Sequence, residues 1–148
     1  MLRLFILEDE IMQQFRIEKA INELIATRAL PCKAPETFDN RDSLLKAITE
    51  RGAHQLFFLD IEIKGEEKSG LSIAREIRKK DPGAGIVFVT THSEFMPITF
   101  RYQVAALDFI DKTLDDRQFS ARIASAIEYT LESLGSRACE DSFLFESA

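Results

Sequence analysis

The chain has 148 residues, and its 25 acidic residues outnumber its 19 basic residues to give a formal net charge of −6. This length suits one domain with its own core, and the hydrophobic fraction of 45% and charged fraction of 30% are those of an ordinary globular protein. The acidic balance argues against nucleic-acid binding by this domain alone, because phosphate contacts need Lys and Arg clustered on one face.

The cysteines and the N-terminal segment predict the compartment. Cys32 and Cys139 occur without a CxxC motif or a His/Cys cluster, so we interpret them as reduced thiols. The apolar run Leu2–Leu7 is followed at once by Glu8, Asp9 and Glu10, so it predicts neither a signal peptide nor a membrane span. We therefore predict a cytoplasmic protein with no membrane partner.

The first third of the chain predicts two strands around a long helix. Leu2–Leu7 is a continuous apolar run broken only by Arg3, which is typical of a buried strand. Apolar residues then recur at helical spacing over about residues 11–26. Residues 31–38 predict a weak second strand, and its two prolines favour the edge of a sheet.

The middle of the chain predicts a buried strand with one helix before it and one helix after it. Asp39 or Asn40 can cap the first of these helices. Leu56–Leu59 lacks alternation, which predicts a strand buried on both faces. A polar loop over residues 65–70 leads into the next helix, which should end near the Asp81-Pro82-Gly83 turn.

The remaining chain repeats the alternation. Residues 86–89 and 104–110 predict the fourth and fifth strands, and a weakly specified helix with Pro97 lies between residues 93 and 101. A last helix should begin at Asp115 or Asp116. The resulting (βα)5 order predicts an α/β fold with a doubly wound, parallel, five-stranded sheet and helices on both faces.

Charged residues follow three of the predicted strands. Glu8-Asp9, Asp60 and Lys112 each come where an apolar run stops, and Thr90 ends the fourth strand. Because the carboxyl ends of parallel strands share one edge, these side chains should line one pocket. Converging carboxylates repel one another, so their proximity favours a hard cation, and oxygen ligands suit Mg²⁺.

We assign the ligands of that cation as follows. Asp9 and Asp60 are expected to bind Mg²⁺ directly, the backbone carbonyl of Glu62 is expected to be a third ligand, and Glu8 should act through water. Thr90 and Lys112 supply a hydroxyl and an ammonium that suit phosphoryl oxygens.

These positions resemble the receiver domain of two-component response regulators, over residues 1–134. Glu8-Asp9, Asp60, Thr90 and Lys112 match that family's acidic pair, phosphoacceptor, switch hydroxyl and lysine, with separations of 30 residues from Asp60 to Thr90 and 22 from Thr90 to Lys112. The resemblance implies a flavodoxin-like fold and a phosphoacceptor signalling domain rather than an enzyme. It implies that a sensor histidine kinase transfers a phosphoryl group to Asp60 with Mg²⁺.

The same resemblance implies how the signal leaves the pocket. Thr90 and Phe109 are the implied switch residues, and the surface of the fourth helix and fifth strand is the expected homodimer interface. Three segments, beginning at Phe57, Phe88 and Tyr102, are similar to peptide quorum-sensing regulators of the AgrA and ComE type. In that group a LytTR DNA-binding domain follows the receiver, so residues 135–148 are expected to be a linker and the start of that domain, and DNA contact is expected only through it.

Phe109 stands where many receivers have tyrosine, and two further departures from the receiver pattern keep an alternative open. Thr113 follows Lys112 where most receivers have proline, and the loop after Asp60 contains extra charges at Glu66, Glu67 and Lys68. A phosphorylation-independent, receiver-like scaffold is therefore the alternative function.

Two enzyme-like interpretations fit less well. A haloacid dehalogenase-type phosphatase needs its nucleophilic aspartate after the first strand and a second aspartate two residues on, where this chain has Glu62. A nucleotide-binding fold needs a glycine-rich turn after the first strand, where the chain has Glu8-Asp9-Glu10.

Overall fold

The structure is a computed structural model. It describes the backbone of residues 1–52, 54–64, 66, 69–100 and 102–147, with the side chains of residue 100 and of residues 136–147 left out. Of the loop charges that depart from the receiver pattern, Glu67 and Lys68 lie outside the described residues.

The five strands form one parallel sheet in the order β2-β1-β3-β4-β5. Their bounds are Arg3–Leu7 for β1, Glu36–Phe38 for β2, Gln55–Leu59 for β3, Gly85–Thr90 for β4 and Asp108–Asp111 for β5. The central strand β3 is buried along its whole length, as its unbroken apolar run predicts. The predicted α/β fold class and the edge position of the second strand are confirmed.

In the described chain each strand is followed by a helix: four are α-helices and one is a 3-10 helix. They are α1 (Ile11–Arg28), α2 (Arg41–Ala47), α3 (Ser69–Lys80), the 3-10 helix Ser93–Phe100 and α4 (Asp116–Ser147). Asn40, rather than Asp39, caps α2, because its side chain accepts the backbone N–H of Ser43 at 2.9 Å. Asp115 plays the same role for α4 and accepts the N–H of Gln118 at 2.8 Å.

Two apolar clusters cover the two faces of the sheet. On one face, α1 and α4 pack through Ile17, Ile21, Phe119 and Ile123 against the strands. On the other face, α2, α3 and the 3-10 helix form the second cluster, whose members include Leu44, Leu71, Ile77 and Ile98. Helices on both faces bury the central strand β3 completely, whereas the edge strand β2 and most of β5 are half-buried.

Three element boundaries differ from the sequence-based expectation. β2 is only three residues long, whereas the weak run predicted a strand from residue 31. The fifth strand does not begin at Val104, because Gln103 and Ala105 adopt left-handed backbone conformations (φ 54° and 53°) that interrupt an extended chain. The backbone of α4 continues past Gly135 to Ser147; the division into residues 1–134 and 135–148 stays a prediction.

No helix among the described residues is long and apolar enough to cross a lipid bilayer.

Candidate functional site

The parallel register brings the predicted site residues to one edge of the sheet. Leu7 of β1 pairs with Leu59 of β3, so Glu8 and Asp60, which follow them, lie side by side. On the other side, Thr90 of β4 pairs with Asp111 of β5, which places Lys112 one residue beyond the last pair. The expectation that these strand ends meet is confirmed by this pairing.

Lys112 is the cation that joins the two buried carboxylates. Its Nζ lies 2.7 Å from Asp60 Oδ2 and 2.6 Å from Glu8 Oε2. The side chains of Lys112, Glu8 and Asp60 are only 5%, 1% and 8% exposed. Buried charges persist only when they are paired or bind an ion, so this triad is a high-energy arrangement that calls for a function.

Burial and charge shift the pKa values of two of these groups. Burial raises the pKa of Glu8 to about 7, and the hydrogen bond from Lys112 opposes this shift while the nearby charge of Asp60 adds to it. For Lys112, burial lowers the pKa of the ammonium, but the charges of Asp60 and Glu8 outweigh burial and hold the pKa above its ordinary value. The ammonium is therefore charged at neutral pH, and one of its carboxylate partners titrates there.

Asp9 completes a cluster of carboxylates at the mouth of the pocket. One oxygen atom each from Glu8, Asp9 and Asp60 lies within 4.8 Å of the others. The backbone N–H of Lys64 donates to Asp9 Oδ2 at 2.7 Å, which ties the loop after β3 to this cluster. Three carboxylates against one ammonium leave an excess of negative charge on oxygen donors, and this donor set fits Mg²⁺.

The loop after β3 is built around the backbone of Asp60. Gly70 is the second residue of α3, and its N–H donates to the carbonyl of Ile61 at 2.6 Å. A Cβ atom at Gly70 would lie 1.8 Å from the carbonyl oxygen of Asp60, so only glycine lets α3 begin this close to the strand end. The N–H of Glu62 also donates to Asp60 Oδ1 at 3.3 Å.

Thr90 is placed differently from the carboxylates. Its side chain is fully buried, and its Oγ1 accepts the backbone N–H of His92 at 3.1 Å. The cavity of about 240 Å³ at this edge is lined from the end of β4 by Thr91 and His92, together with Glu8, Asp9, Glu10, Gln13, Asp60, Glu62 and Lys112.

His92 is a residue of the site that sequence reasoning did not assign to it. Its ring forms ion pairs with Glu62 and Glu94, and hydrogen bonding to Glu94 is the main cause of a raised pKa, which burial opposes and Glu62 adds to. Glu62 lies two residues beyond Asp60, and His92 lies two residues beyond Thr90, at the ends of the neighbouring strands β3 and β4. The signal that could have predicted this contact is that both residues closely follow the ends of neighbouring parallel strands.

Phe109 lies behind the pocket, on β5. It is half-buried and packs against Phe88 with ring centroids 6.0 Å apart. A cavity of about 520 Å³ adjoins its ring and is bounded by Met96 and Thr99 of the 3-10 helix. The ring therefore has open space beside it in the direction of the expected interface.

The fold and site together define a phosphoacceptor signalling domain, and the family comparison agrees. Residues 4–124 match the response regulator receiver domain, so the chain belongs to the receiver domains of two-component response regulators. Receivers work with histidine kinases as partners and are signalling domains rather than enzymes.

The similar proteins place the chain near one group within that family. It is 34% identical to accessory gene regulator protein A of Staphylococcus aureus over 127 residues, which is 86% of this chain and 52% of that protein. The corresponding protein of Staphylococcus epidermidis is 33% identical over the same shares. The chain thus spans about half the length of these curated relatives.

Solved structures support the fold. The response regulatory domain of mrkE from Klebsiella pneumoniae superposes with a TM-score of 0.70 at 22% identity, covering 88% of this chain and 99% of that one. The receiver domain of NtrX from Brucella abortus gives 0.68 at 26% identity, with 87% and 98% covered. Response regulator TrrA from Thermotoga maritima, solved in complex with Mg(2+)-BeF, gives 0.59 at 24% identity, with 85% and 99% covered.

Proposed function

We propose that this domain accepts a phosphoryl group on Asp60 from a sensor histidine kinase. The observation that supports this proposal is the Lys112 ammonium, which contacts Asp60 and Glu8 inside a cavity whose rim carries Asp9. Phosphoryl transfer is accelerated mainly by positioning the reactants and neutralising their charge. It therefore needs a carboxylate nucleophile, a fixed cation and an oxygen-rich rim, and the pocket provides these three.

The transfer is a substitution at phosphorus. A carboxylate oxygen of Asp60 forms a bond to the phosphorus atom as the bond from phosphorus to the kinase histidine nitrogen breaks, and the electron pair of that bond returns to the imidazole. Lys112 stays close to the carboxylate and stabilises negative charge on the equatorial oxygens. The product is an acyl phosphate on Asp60.

The carboxylates would also hold Mg²⁺, which receiver chemistry implies. We assign Asp9 and Asp60 as direct ligands, the carbonyl of Glu62 as a third and Glu8 as a ligand through water. When bound, Mg²⁺ supplies positive charge beside the phosphoryl oxygens. Because its pKa is about 7, the Glu8 carboxyl is partly protonated at neutral pH, and a bound Mg²⁺ would favour its ionised form.

Phosphorylation is proposed to reach the surface through Thr90 and Phe109. The Thr90 hydroxyl lies at the end of β4 and would donate to a phosphoryl oxygen, which draws the backbone after β4 toward the pocket. Phe109 would then turn within the cavity of about 520 Å³ beside the 3-10 helix. This displacement changes the surface formed by the 3-10 helix and β5, where we propose that two copies associate.

The output is proposed to be transcriptional. The relatives named accessory gene regulator are about twice as long as the part that this chain matches, so we propose that residues 1–134 are the receiver and residues 135–148 lead into a LytTR DNA-binding domain. On this view a cytoplasmic regulator responds to a peptide signal in quorum sensing, and DNA is contacted only by the second domain.

The test of this function is intact-mass spectrometry after incubation with Mg²⁺ and phosphoramidate. We expect one added phosphoryl group on the natural sequence and none on Asp60→Asn. Asp108→Asn is the matched control, because Asp108 is also an aspartate of the sheet paired with a cation, Arg122, but lies at the other end of β5. Absence of any adduct together with absence of Mg²⁺ binding would favour the scaffold alternative.

A further inference from the structure

The segment that carries Lys112 is held without a proline. Thr113 follows Lys112, and Asp111 Oδ1 accepts both the N–H of Thr113 at 2.8 Å and its hydroxyl at 2.7 Å. These bonds close a turn within the segment, but Asp111 and Thr113 move with it. They therefore restrain its shape and leave its position relative to the pocket to other contacts.

The N–H of Lys112 donates to the carbonyl of Thr90 at 3.0 Å, and a guanidinium from α1 holds the carbonyl side of the same segment. Arg16 Nη1 donates to the carbonyl of Lys112 at 2.6 Å, and Nη2 donates to the carbonyl of Leu114 at 2.5 Å. These bonds join residues 96 and 98 positions apart in the chain. The same guanidinium lies over the ring of Phe119, with its carbon atom 4.0 Å from the ring centroid.

The geometry of these bonds suits a clamp better than a surface ion pair. Arg16 Nε also lies 3.0 Å from Asp116, but the Asp116 side chain is 92% exposed, and such pairs contribute little. The two bonds to carbonyls differ from that pair. They use the rigid fork of the guanidinium, and the Arg16 side chain that makes them is only 21% exposed. Donors held on a helix that packs in the core can fix a peptide plane.

We propose that Arg16 is a positioning residue for phosphoryl transfer: it holds the Lys112 backbone so that the ammonium meets Asp60 and Glu8. This inference rests on the proposed function of Lys112. A lysine side chain has four rotatable stem bonds, so a displaced backbone lets the ammonium sample other positions. Misplacement of a catalytic group by about 1 Å can slow a reaction up to about 100-fold.

The first test measures whether Arg16 acts through Lys112. Arg16→Met keeps an unbranched apolar side chain over Phe119 but removes every donor, and we expect it to slow Asp60 phosphorylation by phosphoramidate roughly 10-fold or more. In a Lys112→Ala background the same change should alter the rate less than about two-fold, because the group that it positions is gone. An equal slowing in both backgrounds would overturn the proposal.

Arg78→Met is the matched control for lost carbonyl clamping. Arg78 donates to the carbonyls of Val104 and Ala84, which precede β5 and β4 at the opposite edge of the sheet. We expect this variant to lose stability yet phosphorylate at the natural rate. If it slows phosphorylation as much as Arg16→Met does, general loosening of the fold explains the effect and the proposal fails.

A second readout does not depend on phosphorylation. In protein labelled with ¹⁵N-lysine, the ammonium signal of Lys112, assigned from its loss in Lys112→Ala, should shift or broaden in Arg16→Met and stay unchanged in Arg78→Met. An unchanged signal in Arg16→Met would contradict the positioning role. A shifted signal in a protein that never forms the phosphoryl adduct would instead keep the clamp and reject the proposed function.

Discussion

Replacing Gly70 with alanine should push the first turn of α3 away from Asp60. The added Cβ would lie 1.8 Å from the carbonyl oxygen of Asp60 and 2.7 Å from both its carbon atom and the Cα of Ile61. Contacts of this kind do not fall below 3.0 Å, so the helix start must move by about 1.2 Å. All three neighbours are backbone atoms, and a side-chain rotation cannot relieve the overlap.

The cost follows from two effects. Overpacking of this kind typically destabilises a protein by about 1–3 kcal/mol. The shift also lengthens the 2.6 Å bond from the Gly70 N–H to the Ile61 carbonyl, which adds about 1 kcal/mol. We therefore expect the free energy of unfolding to fall by about 2–4 kcal/mol, a large part of the ~5–15 kcal/mol of a typical domain.

Gly135→Ala is the opposite control in the same chain. Gly135 lies inside α4, and a Cβ there would have no neighbour within 4 Å among the atoms that the structure describes. Alanine is the better helix former, so this variant should gain about 0.5–1 kcal/mol. This gain in the free energy of unfolding requires that α4 is helical at residue 135. An unchanged free energy of unfolding would support the predicted domain end at residue 134.

Urea unfolding followed by circular dichroism in metal-free buffer measures both free energies, and intact-mass kinetics measure phosphorylation. Gly70→Ala should slow phosphorylation as well as destabilise the fold, whereas Gly135→Ala should leave the rate unchanged. If Gly70→Ala unfolds within about 0.5 kcal/mol of the natural sequence, the close approach of α3 to Asp60 that we describe is wrong.

Three further predictions concern the charges of the pocket. Mg²⁺ at 100 times its dissociation constant should raise the free energy of unfolding by about 2.7 kcal/mol, and Asp9→Asn should lose most of this gain; an equal gain in the variant would exclude Asp9 as a ligand. Lys112→Met leaves two buried carboxylates without their cation, so we expect a loss of about 3–5 kcal/mol at pH 8 in urea unfolding. That loss should shrink toward pH 6. The pKa of Glu8 is already about 7 with Lys112 present and rises further when the ammonium is removed, so at pH 6 the folded variant binds a proton that the unfolded chain lacks. A loss that does not change with pH would refute this. The raised pKa of His92 means that its pairing with Glu94 and Glu62 stabilises the fold below about pH 6.5, and that this stabilisation is lost as pH rises through the folded-state pKa. NMR titration of Glu94→Gln should show a lower His92 pKa, and an unchanged pKa would contradict the assigned cause.

Much of the fold could be predicted because its signals are local. Short unbroken apolar runs such as Leu56–Leu59 favour strands buried on both faces, and their alternation with amphipathic segments favours a parallel sheet. The site followed from the same rule, since residues after parallel strands share one edge. Glu8, Asp60 and Lys112 could be placed together without knowing any side-chain contact.

Boundaries were less predictable where the backbone, rather than hydrophobicity, decides. Val104 is fully buried and reads as part of a strand, yet left-handed residues on both sides of it end the extended chain. Its carbonyl instead accepts two bonds from Arg78. Positive φ at Gln103 and Ala105 has no sequence signal of the kind that glycine provides.

The sequence by itself thus determined the order of elements, the sheet edge that carries the charges and the residue types gathered there. The tertiary structure alone decided which groups touch: Lys112 bridges Glu8 and Asp60, His92 pairs with Glu62, and Arg16 holds the carbonyls after β5. The physical reason is the separation of the interacting residues along the chain. The spacing of apolar residues is a local pattern that can be recognised in the sequence. A hydrogen bond between residues 96 positions apart depends on strand register and helix packing together.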